Sequence, residues 1–158
     1  MNRIIHFAYE YDFLSNFYSA HVVYEGVAYA SVEHAYQASK SLDLDQRTIF
    51  SFDYNPNLTA ARAKRIGQEI KLRDDWDKVK VRTMRELVLQ KFSQPALKAK
   101  LLGTGDAYLE EGNWWHDIFW GVCHHKMEGK TCREGEHRPF GGNHLGYILM
   151  DVRNLPVL

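Results

Sequence analysis

The sequence predicts an α+β domain, mostly helical, with a small antiparallel sheet. Three observations predict it. Residues 74–92 carry Trp76, Val79, Met84, Leu87, Val88 and Phe92 mostly three to five positions apart, the spacing of a core-facing helix. Residues 20–30 (AHVVYEGVAYA) alternate around Glu25-Gly26, the pattern of a hairpin. Helix-start residues precede several helical stretches, and Gly67 and Gly103 close two of them.

In chain order, residues 4–8 (IIHFA) read as a short strand, followed by the hairpin. Ser31 caps a helix over 32–42. Asp43 and Asp45 open a short helix through Phe52, and Asn55-Pro56-Asn57 closes it. Residues 59–67 form a short basic helix ending at Gly67. The longest helix runs from Asp74 to Phe92, with Asp74, Asp75 and Asp77 at its positive end. Ser93 and Pro95 start another, which stops at Gly103. Residues 107–110 (AYLE) read as a strand and 112–142 mainly as loop. Asn143 caps a last helix, about 144–153.

No repeat, low-complexity stretch or long linker divides the 158 residues, so a single domain over 1–158 is expected. Twenty acidic and twenty basic residues balance, which argues against coating long stretches of nucleic acid by charge alone. It leaves room for gripping a single nucleotide. Aromatic residues reach 13%, enough for a large core or for a pocket that stacks a planar ligand. The N-terminus MNRIIHFAYEYDF has no long apolar run, and no stretch approaches the ~20 apolar residues of a membrane helix. The two cysteines, Cys123 and Cys132, do not suggest a disulfide framework. A cytoplasmic protein with no membrane partner is the expectation.

The stretch SVEHAYQASK, Ser31 to Lys40, carries the strongest chemical signal. Glu33, Tyr36, Gln37 and Lys40 fall at i, i+3, i+4 and i+7, on one helix face. A carboxylate, a phenol, an amide and an amine in one stripe can do acid–base or imine chemistry. A solvated charged face is the competing reading. A second group is Asn113-Trp114-Trp115-His116-Asp117-Ile118-Phe119-Trp120-Gly121, in which aromatic faces could sandwich a ring and Asp117 could bond a ring N–H or ribose hydroxyl. The alternative is a core-facing strand with Asp117 capping a turn. A third is Phe140-Gly141-Gly142-Asn143-His144-Leu145-Gly146, where backbone N–H groups ahead of a helix could face a phosphate, or simply form an entry loop. Arg62, Lys64, Arg65, Lys71 and Arg73 form a basic cluster, which suits phosphate contacts or a solvated face. Cys123, His124, His125, Cys132 and His137 lack the short C-x-x-C type of pairing, so no metal is expected. P-loop and G-x-S-x-G motifs are absent.

Taken in order, these residues resemble a known family. Phe13-Leu14-Ser15-Asn16-Phe17, Ser31-Val32-Glu33-His34 through Gln37 and Lys40, and Trp76 and Met84 through Lys91-Phe92 come first. Leu102-Gly103-Thr104-Gly105-Asp106, Leu109-Glu110, Asp117, Trp120-Gly121 and Gly142-Asn143-His144-Leu145-Gly146 continue the order. The set resembles the NADAR superfamily of YbiA-like proteins over about residues 7–153.

The resemblance implies a YbiA-like fold and N-glycosidase chemistry on ribose joined through C1 to an exocyclic amine. It implies one of two substrates: ADP-ribose on guanine in DNA or RNA, in some members as antitoxin to a DarT-type ADP-ribosyltransferase, or a phosphoribosylamino-pyrimidine of riboflavin synthesis. It implies Lys40 as an imine-forming nucleophile, Glu33 as general acid/base and Asp117 as a second carboxylate. Ser15, Asn16 and Phe17, with Tyr36 and Gln37, would line the ribose or base pocket. Trp120 and Gly121 would contact the base, and Gly142 and Asn143 would hold phosphate or ribose. No cofactor is implied. Direct hydrolysis between two carboxylates stays open. So does a non-catalytic ADP-ribose- or NAD-binding module. The segment 121–142 is longer than the family's usual loop and carries His124, His125, Lys126, Lys130, Arg133, His137 and Arg138. A basic loop suits a large anionic substrate, which puts modified nucleic acid ahead of the small ribosylamine nucleotide.

Overall fold

The computed structural model describes residues 2–125 and 139–156. The class is α+β: helices dominate and the strands are short. The chain forms two compact units, Asn16–Leu97 and Met1–Ser15 with Lys98–Leu158.

In the unit Asn16–Leu97, β2 (Val22–Tyr24) pairs antiparallel with β3 (Val27–Tyr29), in the register Val22↔Tyr29. Glu25 and Gly26 both take positive φ, +46° and +81°, the backbone that a two-residue hairpin turn demands. Helix α1 (Val32–Ser39) starts at Ser31, whose hydroxyl accepts from the His34 N–H. Every residue of α1 is buried. α2 (Leu44–Thr48) is capped by Asp43, and α3 (Ala60–Ile66) by Thr59, with Gly67 at its far end. α4 (Trp76–Ser93) begins two residues later than expected. Asp75 does not cap it, because both of its carboxylate oxygens accept from the Arg73 guanidinium, at 2.5 and 3.0 Å. Trp76, Met84, Leu87, Val88 and Phe92 are buried, as their spacing predicts.

In the other unit, β1 (Arg3–Ile4) pairs with β4 (Tyr108–Leu109), and β5 (Gly112–Asn113) with β6 (Val122–Cys123). Both pairings are parallel, so among the described residues the hairpin β2–β3 is the antiparallel one of three two-stranded sheets. The expected strand 4–8 shrinks to Arg3–Ile4, and the expected loop after 112 contains two strands. Glycine lets β5 run close to the chain just after β1: the Gly112 N–H donates to the Ile5 carbonyl at 3.1 Å, and a Cβ on Gly112 would lie 2.2 Å from that oxygen. α5 spans Pro95–Gly103, across the division between the units. α6 (His144–Arg153) buries Leu145, Ile148, Leu149 and Val152 and packs on β4. Cys123 is disulfide-bonded, where the sequence suggested no disulfide framework; Cys132 lies outside the described residues. Among the described residues no helix is long and apolar enough to cross a membrane, and no three His, Cys, Asp or Glu side chains could hold a metal ion.

Candidate active site

Helix α1 brings four of the expected side chains together. Glu33 is 6% exposed and Gln37 3%, so the solvated-face reading of this helix fails. Buried polar groups need partners, and these two side chains serve each other. The Gln37 carboxamide Nε2 donates to Glu33 Oε1 at 2.7 Å, one helical turn away. The Gln37 Oε1 turns to Gly67, at the end of α3: a Cβ there would lie 1.8 Å from it. The Lys40 amine in turn donates to the Gly67 carbonyl at 3.2 Å. Glu33 and Lys40 lie ~10.5 Å apart along an ideal helix axis. Gln37 and Gly67 span that gap.

The electrostatics of this cluster favour a reactive amine. Burial pushes the Lys40 ammonium below its ordinary 10.5, and the charge of Lys64 on α3 pushes the same way, against the opposing pull of Glu33. Lys40 lies over the Tyr36 ring at 5.7 Å, and that ring meets Trp76 at 5.2 Å. Desolvation and a neighbouring cation are the two means by which a lysine is made nucleophilic, and both act here. Lys64 stood in the sequence only as one member of a basic cluster, Gly67 as a helix stop and Trp76 as core. Nothing in their spacing relates them to Lys40.

His34 takes another part. Its Nε2–H donates to the Leu58 carbonyl at 2.8 Å, which leaves Nδ1 to accept from the Ser31 hydroxyl at 2.7 Å. Burial lowers its pKa, so the ring is neutral and structural. The segment before the hairpin reaches α1 through its backbone, where the Asn16 carbonyl accepts from the Glu33 N–H at 3.0 Å. The Asn16 side chain is turned to the Met84 sulfur, 3.4 Å away. Phe17 is exposed, with the Lys64 ammonium over its ring at 5.9 Å. Ser15 ends a short 3₁₀ turn (Tyr9–Leu14) and donates its N–H to the Asp12 carbonyl.

The second expected group lies in the unit of α6. Asp117 Oδ1 accepts from the N–H groups of Phe119 (3.1 Å) and Trp120 (2.9 Å), the turn-capping alternative of the sequence reading. Asn113 clamps the same turn, donating to the Asp117 carbonyl and accepting from its N–H. Trp120 is half-buried, with its ring edge-on to Phe119 at 4.9 Å. Gly121 is buried, where a Cβ would lie 2.3 Å from the Glu111 carbonyl oxygen.

The glycine-rich entry to α6 differs from the phosphate reading. The N–H groups of Gly142, Asn143, His144 and Leu145 donate to the carbonyls of Ile118, Gly121, Phe119 and Trp120. An anion would have to displace those bonds. Asn143 stands at the cap position in left-handed backbone, φ +51°, yet its side chain does not cap. Its amide donates to the Leu109 carbonyl and Tyr108 hydroxyl, and its oxygen accepts from the Glu111 N–H. Of the basic loop, residues 126–138 lie outside the described residues.

The NADAR domain family matches residues 6–155. The chain belongs to the NADAR family. It is 36% identical to an N-glycosidase of Nostoc punctiforme over 146 residues, 90% of this chain and 84% of that protein. It is 34% identical to the N-glycosidase YbiA of Escherichia coli over 145 residues, 91% of this chain and 81% of that protein. A riboflavin biosynthesis protein of Vibrio vulnificus is 37% identical over 162 residues; the match takes in 97% of this chain and only 38% of that longer protein. The NMR structure of E. coli YbiA superposes with a TM-score of 0.72 at 32% identity, covering 97% of this chain and 84% of YbiA. NADAR membership beside named N-glycosidases supports hydrolysis of an N-glycosyl bond.

Proposed function

We propose that this chain is an N-glycosidase that cleaves the bond between ribose C1 and an exocyclic amine through an imine to Lys40. One observation carries the reading: a lysine amine ends a buried helix, and burial and Lys64 both weaken its hold on its proton. Plain binding of a nucleotide favours a charged lysine, whereas attack on C1 needs a neutral one.

The glycosylamine opens to an imine at C1, and the ring oxygen takes up a proton. Neutral Lys40 adds to C1, and the exocyclic amine leaves with a proton from Glu33. The ribosyl group is now an imine on Lys40. Water adds to C1 with Glu33 as base, and the C–N bond to Lys40 breaks. The freed aldehyde recloses. The net reaction consumes one water and uses no cofactor. Asp117, occupied by two backbone N–H groups, is assigned to holding the Trp120 turn.

For the substrate, we propose ADP-ribose on guanine in DNA or RNA, on the strength of the basic residues in 124–138. The same reading casts the chain as antitoxin to a DarT-type transferase, testable by rescue of growth on coexpression. A second reading, a phosphoribosylamino-pyrimidine of riboflavin synthesis, is favoured by the relatives named for that pathway. The test is product release from a guanine-ADP-ribosylated oligonucleotide and from the phosphoribosylamino-pyrimidine, with Glu33→Ala and Lys40→Ala beside the wild type. Release from one alone assigns the substrate. Binding of ADP-ribose without release from either points to a non-catalytic module.

A further inference from the structure

We infer that Gln37 is a positioning residue for Glu33: its carboxamide commits one carboxylate oxygen, leaves proton transfer to the other, and stays in place because residue 67 is glycine. This rests on the reading of α1 as the reacting helix.

The geometry supplies three parts. Gln37 Nε2 donates to Glu33 Oε1 at 2.7 Å, so that oxygen is held as an acceptor and Oε2 is the one that carries and returns the proton. The reverse orientation of the amide would set two oxygens against each other. Gln37 Oε1 is buried and has no hydrogen-bond partner among the described residues. An orphaned buried acceptor is costly, and an apolar side chain of the same length would avoid it. A glutamine that only filled space would therefore be a poor choice here, whereas one whose N–H is needed by Glu33 accepts that cost. The third part is Gly67, where any Cβ would displace the carboxamide.

Other ionisable groups around α1 fall into two sets. Lys40 on the same helix and Lys64 on α3 act on this cluster by charge. Arg47 on α2 is turned to Glu25 and the Ser41 carbonyl, and Lys91 on α4 lies over the Tyr18 and Phe92 rings.

The test uses the full chain with Gln37→Met, Gln37→Glu and Lys40→Ala. Turnover is read on the guanine-ADP-ribosylated oligonucleotide and the phosphoribosylamino-pyrimidine. The Glu33 carboxyl is followed by carbon-13 NMR. Gln37→Met keeps the shape and removes the donor. It is expected to lower kcat about 10–100-fold with KM within about twofold, and to move the Glu33 titration to higher pH, since the charged form has lost a donor. Gln37→Glu should regain activity relative to wild type as pH falls, because its protonated acid again offers a donor. Melting temperatures are read first, and Gln37→Glu, nearly identical in shape, carries the test if Gln37→Met does not fold. Wild-type kcat in Gln37→Met with an unmoved Glu33 titration would overturn the inference, as would a Gln37→Glu defect constant with pH. Full turnover in Lys40→Ala with a moved Glu33 titration in Gln37→Met would sink the imine mechanism and leave the positioning role standing.

Discussion

The Lys40 amine donates to the backbone carbonyl of Gly67 at 3.2 Å, which ties the end of α1 to the end of α3. The bond holds the amine in one place while leaving it a nucleophile once its proton is gone. Lys40→Arg keeps a cation there but cannot form an imine. Both Lys40→Arg and Lys40→Ala should lose turnover at least about a hundredfold. Steady-state kinetics on either probe check this, and near-wild-type turnover in Lys40→Arg contradicts it.

The pH profile follows from the lowered Lys40 pKa. Activity should rise with pH as the amine deprotonates, and reach its plateau below the ordinary 10.5. Lys64→Gln removes the neighbouring cation, so the rising limb should move to higher pH; Lys64→Arg should leave it in place. The folded chain holds this proton less tightly than the unfolded one. Stability should therefore increase as pH rises through the window that ends at 10.5, and fall as pH drops through it. Melting curves of wild type against Lys40→Met isolate that increment.

His34 makes the fold sensitive to acid. Its ring is held neutral by burial, with a folded-state pKa below the ordinary 6.5. Its contribution is complete above 6.5 and is lost as pH falls through the folded-state value, because the unfolded chain then binds the proton more readily. His34→Phe should remove that acid sensitivity. It should also cost about 1–3 kcal/mol at neutral pH, because the Leu58 carbonyl loses its donor. Denaturant unfolding at pH 5 and pH 8 tests both halves.

Gly67→Ala should do more damage than a helix-end alanine ordinarily does. Its Cβ would sit 1.8 Å from Gln37 Oε1, so the carboxamide must swing off Glu33. Overpacking of this kind costs about 1–3 kcal/mol. Calorimetry gives the loss in stability, and kcat should fall with it.

Asn143→Ala tests a structural assignment. The side chain serves the Leu109 carbonyl, the Tyr108 hydroxyl and the Glu111 N–H, and its backbone is left-handed. The substitution should destabilise by about 1–3 kcal/mol through unsatisfied groups. A stable variant with weakened ligand affinity would instead return Asn143 to the binding role read from the sequence.

Much of the fold was legible because it is local. Ser31, Asp43 and Thr59 start their helices as their side chains allow, and Glu25-Gly26 makes its turn. The Glu33–Gln37 contact follows from one helical turn. What was not legible is non-local. The two-residue strands 3–4, 108–109, 112–113 and 122–123 are too short for alternation, and their parallel pairing depends on close backbone approach. Lys64 reaches Lys40 from a different helix. Asp75 was spent on Arg73 rather than on its helix, and the Asn143 side chain on β4 rather than on a cap. Each outcome was settled by a partner that sequence spacing does not name.

The most direct test of the account is borohydride trapping during turnover, followed by peptide mapping of the adduct. The account predicts a reduced ribosyl adduct on Lys40, formed with the guanine-ADP-ribosylated oligonucleotide or with the phosphoribosylamino-pyrimidine and absent in Lys40→Ala. Full turnover of either probe with no adduct, or an adduct on another lysine, would contradict it.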